Sequence, residues 1–155
     1  MKLKMDLYIY SKPSKDSIRQ FKSKVNAICN ELRGHNADEL IRRLNSLIIG
    51  TANYWKASSA KKTFSNMDHY LWIVTFKFLQ KLHRNKRKGW IKNKYYPPYY
   101  DGKHFGNWVL TSPKEDDHLV KMVWTSIKIH KMVKHNHSPY DESKSDYFEN
   151  RKVSC

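Results

Sequence analysis

The sequence predicts a mainly α protein: a small antiparallel helical bundle followed by a smaller irregular α+β segment. Three observations carry this expectation. Apolar residues recur at helical spacing through three successive stretches between residues 14 and 83. The gaps between those stretches are a few residues long, and helices joined so closely pack as antiparallel neighbours. Pro97 and Pro98 then stop any helix, which puts a boundary between a domain at residues 1–96 and a smaller region at 97–155.

The elements follow in order. Residues 1–10 alternate charged and apolar groups before Tyr8-Ile9-Tyr10, which fits a short strand or extended lead-in. Ser14 can cap a first helix whose apolar stripe is Ile18, Phe21, Val25, Ile28 and Leu32, and Gly34 ends it. Asn36 and Glu39 are spaced as a capping pair for a second helix, with Leu40, Ile41, Leu44, Leu47 and Ile48 inward and a continuation past Gly50 to Trp55. Glycine inside a helix costs about 1 kcal/mol against alanine, so close approach of another backbone is the expected reason for Gly50.

A third helix runs from about Lys61 to His83. It is apolar over more than half its circumference and should be the central one, with Leu71, Val74 and Phe78 buried beside Phe21 and Leu44 of the first two. Past the prolines, Phe105, Trp108, Val109 and Leu110 lie between Gly102, Gly106 and Pro113 and read as short irregular strands. Leu119 to Met132 is apolar enough for a short helix or strand.

The charge names the class of partner. Thirty Lys and Arg against fourteen Asp and Glu leave +16, an excess most easily tolerated against a polyanion. It is uneven: residues 1–100 hold 21 basic and 6 acidic side chains, and residues 101–155 hold 9 and 8. The densest stretch is 84–96, where Arg84, Lys86, Arg87, Lys88, Lys92 and Lys94 interleave with Trp90, Tyr95 and Tyr96. Cations reach phosphates while neighbouring aromatic faces stack on unpaired bases, so this stretch is the expected nucleic-acid contact rather than a plain solvated loop. Lys15, Arg19, Lys22, Arg42 and Arg43, on the outer faces of the first two helices, are further candidates.

Other chemistries find little support. Cys29 and Cys155 alone build neither a disulfide framework nor a four-cysteine zinc site. His130, His135 and His137 have no cysteine nearby and no i, i+4 pair, so no metal or other cofactor is expected. Glu115-Asp116-Asp117 reads as a solvated turn. There is no Gly-rich phosphate loop, nucleophile elbow or His-Glu-x-x-His. The chain alone is therefore not expected to be an enzyme. No apolar start of signal-peptide length and no run of about 18 apolar residues occurs, which leads to the expectation of a soluble intracellular protein without a membrane partner.

Taken in order, the segments resemble the C-terminal part of group II intron reverse transcriptase/maturases. Ser11-Lys12-Pro13-Ser14-Lys15 with Ile18 and Phe21 resembles the start of the maturase-specific domain. Arg33-Gly34, Asp38-Glu39-Leu40-Ile41, Leu44-Asn45, Gly50, Ala52-Asn53-Tyr54 and Phe64 resemble its middle. Asp68-His69-Tyr70-Leu71-Trp72, and Trp90-Ile91-Lys92 with Tyr95, resemble its end. In the tail, Ile127 to His130, Ser138-Pro139-Tyr140-Asp141 and Tyr147-Phe148-Glu149-Asn150-Arg151 are similar to the elements that precede a nuclease domain in many members, with Ser138 in place of the usual Asn.

The Tyr-Ala-Asp-Asp metal motif of the polymerase does not occur, and the chain stops at Cys155, before a paired-cysteine nuclease could begin. The resemblance implies the polymerase thumb, or maturase region, which grips intron RNA to promote splicing, followed by a region that contacts target DNA. It implies group II intron RNA as the partner, in the cytoplasm of a bacterium or in an organellar matrix or stroma. Another expectation is the thumb and DNA-binding part of a split or truncated RNA-directed DNA polymerase working with separate polymerase domains in intron mobility. A third reading, a general polyanion or membrane-surface binder, would need apolar stripes that the bundle core already uses.

Overall fold

The computed structural model describes residues 11–114, 117–128, 133, 137, 138 and 140–153. The expected lead-in at 1–10, His130, His135, Cys155 and the Glu115-Asp116 part of the acidic turn lie outside them. The described residues are mainly α-helical.

Helix α1 (Lys15–Glu31) starts at Ser14, whose Oγ accepts the Ser17 N–H at 3.1 Å and so satisfies one of the orphan amides of the first turn. Phe21 and Val25 are buried. Gly34, at φ +88°, adopts the left-handed backbone that follows many helix ends.

Helix α2 (Ala37–Trp55) begins where expected, but the capping pair does not form. Asn36 sits at the cap position in extended backbone without a side-chain cap hydrogen bond. A long-range bond lies at this end: the Ser112 hydroxyl donates to Asp38 Oδ1 at 2.5 Å. Leu40, Ile41, Leu44 and Ile48 are fully buried. Gly50 departs from its expected role, because a Cβ there would meet nothing within 4 Å and no backbone approaches.

Helix α3 (Lys61–Leu82) is central, touched by α1, by helix α4 (Lys88–Tyr95) and by a 3-10 turn at Met122–Trp124. Its buried face is Phe64, Met67, Leu71, Thr75, Phe78 and Leu79. Val74, expected in the core, is only half-buried. Along this helix Thr75 takes the inward place, donating to Leu71 O at 2.8 Å and meeting the Tyr96 hydroxyl at 3.0 Å.

Beyond Pro98 the secondary structure changes while the core continues. Strands β1 (Tyr99–Tyr100) and β2 (Phe105–Gly106) pair antiparallel, and Asp101 closes their turn by accepting the Lys103 and His104 amides. These two amides hold the exposed Asp101 carboxyl below its ordinary range. Leu110, Leu119 and Met122 belong to the same apolar cluster as Leu44 and Leu71. A short 3-10 turn, Glu142–Lys144, leads into helix α5 (Ser145–Val153).

Polar side chains of α2 and α3 clasp the returning segment. Asn45 donates to His118 O and accepts the Val120 N–H, at 2.8 and 2.9 Å. Asp68 accepts the Met122 and Val123 amides at 2.8 and 3.1 Å, and Lys61 donates to Val123 O at 2.8 Å. Burial is the largest influence on the Asp68 carboxyl and holds its pKa above the ordinary 3.8, against the two amides and the Lys121 and Lys61 charges, which lower it.

The folded chain therefore holds this proton more tightly than the unfolded one does. The stability linked to the group is fullest below its unfolded value, and it falls as pH rises through the raised folded value. Asp68→Asn keeps one acceptor and turns a donor toward the other amide, which should cost about 1–3 kcal/mol at pH 7. Because the variant lacks the titration, its deficit should widen on acidification through the raised pKa. Urea unfolding at pH 7 and at pH 4 checks this, and a deficit that narrows would contradict it.

Candidate nucleic-acid interface

Most of the basic stretch at 84–96 folds as α4. Its periodicity sorts the side chains: Ile91 and Tyr95 point inward, 0% and 5% exposed, while Trp90 and Lys94 share an outer face and Lys88 and Lys92 another. Trp90 is 37% exposed. The ammonium groups of Lys86 and Lys94 lie 5.4 and 4.7 Å from its ring centroid, and the His83 ring meets it edge-on at 5.1 Å. Lys92, on the other flank, sits 4.8 Å over Trp108. Arg84, Arg87 and Lys88 surround the start of the helix, all three exposed.

Tyr95 requires a correction. Its place in a basic run makes it a candidate for contact with RNA, but its ring is buried and its hydroxyl lies 2.7 Å from His83 Nε2. It anchors α4 to α3 and has no face free for stacking. Only the i, i+4 pairing with Ile91 reveals its inward direction. Burial, then Lys94, then Lys86, lower the pKa of His83. At neutral pH its ring is thus the neutral partner among surrounding cations.

The five candidates on α1 and α2 are not equally placed to meet a phosphate. Lys15 is exposed in the first turn of α1. Arg19 is paired with Asp16 at 3.0 Å, and Arg43 donates to both oxygens of Glu31 at 3.0 Å, which ties α2 to α1. Lys22 lies 5.0 Å over the Tyr70 ring. Arg42 is exposed on α2.

The structure brings Arg84 together with three cations that the sequence pattern does not single out, Arg33, Lys77 and Lys81. A groove of about 820 Å³ between α1 and α3 has Ile73, Val74, Phe78 and Leu82 among its lining, with Arg33, Lys77, Lys81 and Arg84 beside them and no carboxylate. Lys77, Lys81 and Arg84 follow i, i+4, i+7 spacing, a signal obscured by the strong apolar pattern of the same helix. Cys29 also lines this groove, and burial pushes its thiol up to about 11, so it stays protonated and unreactive.

His137 packs against Tyr147 at 4.5 Å. Among the described residues no group of His, Cys, Asp or Glu is arranged to hold a metal ion, and no helix is long and apolar enough to cross a membrane.

A comparison with curated proteins finds no match. The family described as "Group II intron, maturase-specific domain" matches residues 18–96, which run from the first buried turn of α1 to the end of α4 and make up just over half of the chain. The helical core and its basic fourth helix are thus the matched part, and the chain belongs to the group II intron maturase-specific domain family.

Proposed function

We propose that this chain binds group II intron RNA through the outer face of α4 and, by holding the folded RNA, promotes its splicing. The observation that carries the reading is the partly exposed Trp90 ring bracketed by Lys86 and Lys94, on a helix whose inner face is locked by Ile91 and Tyr95. A rigid helix presents cations at phosphate reach and one aromatic face for an unpaired base, so affinity and stacking come from the same short element. The chemistry of splicing stays with the RNA; the protein supplies charge neutralisation and position.

Trp90→Ala tests this directly. Without one base–aromatic stack, binding of labelled intron RNA should weaken by about 1–3 kcal/mol with little change in salt slope, since every cation that meets a phosphate is kept. The thermal midpoint of the variant must be followed in parallel, because Trp90 also touches His83. Unchanged affinity in a folded variant would remove α4 as a stacking element, and precursor RNA that splices equally well with and without the chain would remove the splicing role.

A further inference from the structure

A second aromatic feature lies away from Trp90. Trp72 of α3 and Trp108, in the loop after β2, meet edge to face with ring centroids 5.4 Å apart and planes at 72°. His69, one turn earlier on α3, stacks on Trp72 at 5.7 Å and 28°. These rings line a cleft of about 560 Å³ together with Asp68, Lys121 and Val123. Trp108 is 42% exposed, a large apolar surface for a loop residue to leave in water.

The charges around the cleft point to one kind of occupant. Lys92 lies over the Trp108 ring, and Lys121 is in the lining. The carboxylate in the lining, Asp68, already accepts the Met122 and Val123 amides through its two oxygens. The cleft therefore presents flat aromatic surface with cations beside it, the combination that takes a base and its phosphate. It is also continuous with α4, since Lys92 stands on the helix that carries Trp90. Along the α3 stretch, the partners of the two exposed indoles are Trp72 and His83, eleven residues apart, so the two sites are spaced by about 16 Å along the helix axis.

We infer that the Trp72–Trp108 cleft is a binding site for an unpaired base of single-stranded RNA, distinct from the Trp90 face. The inference rests on the RNA-binding reading above. Trp108 is the stacking platform, Trp72 and His69 set the wall, and Lys92, which covers the Trp108 ring in the free chain, moves to the phosphate of the stacked nucleotide.

The experiment uses the full chain and a fluorescein-labelled oligo(U) of about 15 nucleotides, within the site sizes of single-strand binders. The variants are Trp108→Ala, Trp108→Phe and the triple Lys86→Ala, Lys88→Ala, Lys94→Ala. Trp108→Ala should bind roughly 5- to 150-fold more weakly, the effect of removing one stacked base, with its salt slope kept. Trp108→Phe should recover most of the affinity, which a general collapse of structure would not allow. Polyglutamate, charged but without bases, should compete poorly. Photo-crosslinking of a 4-thiouridine oligonucleotide should label peptides containing Trp108 or Trp72, a readout that stands even if the alanine variant unfolds.

If Trp108→Ala binds like the parent while the triple lysine variant binds weakly, the cleft is overturned and the α4 reading stands. Polyglutamate competing as well as oligo(U), or crosslinks confined to other segments, also overturns it. No binding of oligo(U) or intron RNA by the parent chain at low salt overturns both readings.

Discussion

Removing Lys86, Arg87, Lys88, Lys92 and Lys94 together by alanine substitution is expected to flatten the salt dependence of RNA binding by about 0.7 to 0.9 slope units for each phosphate no longer neutralised, or roughly 3.5 to 4.5 in all. At low salt this amounts to an affinity weaker on the order of a hundredfold or more, because each neutralised phosphate had released a condensed counterion. The five side chains are exposed and outside the apolar cluster, so the helix should survive. Lys86, Lys92 and Lys94 also lie over Trp90, Trp108 and Tyr95, and a cation–π interaction at an exposed site is worth about 0.5–1 kcal/mol. Thermal unfolding therefore accompanies the binding titration, which is run at several salt concentrations. A folded variant with unchanged affinity and slope would move the RNA-binding face to the α1–α3 groove, where Arg33, Lys77 and Lys81 carry charge without a carboxylate in the lining.

Leu71→Ala is the second large effect, expected to cost about 2–5 kcal/mol as a large-to-small change in a packed site. Leu71 is 2% exposed at the centre of α3, with α1, α4 and the Met122–Trp124 turn packed around that helix, so the cavity would be felt by several elements at once. Val74, three residues on, lines the groove and is half-buried, so Val74→Ala should cost clearly less. Equilibrium urea unfolding of both variants makes the comparison. Equal costs would mean that the inward face of α3 is misassigned, and a Leu71 effect within about 0.5 kcal/mol would place that residue at the surface.

Most of the helical scaffold is legible because it is local. The start of α1 at Ser14, the extent of α2 to Trp55 and the span of α3 rest on caps and on apolar residues three and four apart, which act within one or two turns. The polyanion preference is legible for a similar reason: charge adds up along the chain whatever the fold. α4 is a partial case. Its basic and aromatic content marks it, but eight residues containing Gly89 give too little periodicity to show that Tyr95 faces inward and Trp90 outward.

What sequence pattern could not reach depends on residues far apart in the chain. Asn45 and Asp68 look like ordinary polar positions on α2 and α3, and their hydrogen bonds to Val120, Met122 and Val123 span 54 to 75 residues. Asp38 meets Ser112 in the same way, across 74 residues of sequence. The cleft at Trp72 and Trp108 exists only because the segment after Pro98 returns across α3. Periodicity reports which side of an element is apolar, whereas the partner that covers it is chosen by the packing of the whole chain. For this protein, the three long helices, most of their inward faces and the basic character follow from short-range patterns in the residues. The clasps, the groove and the aromatic cleft come from tertiary packing, because each is made of groups that only the folded chain brings within a few ångströms.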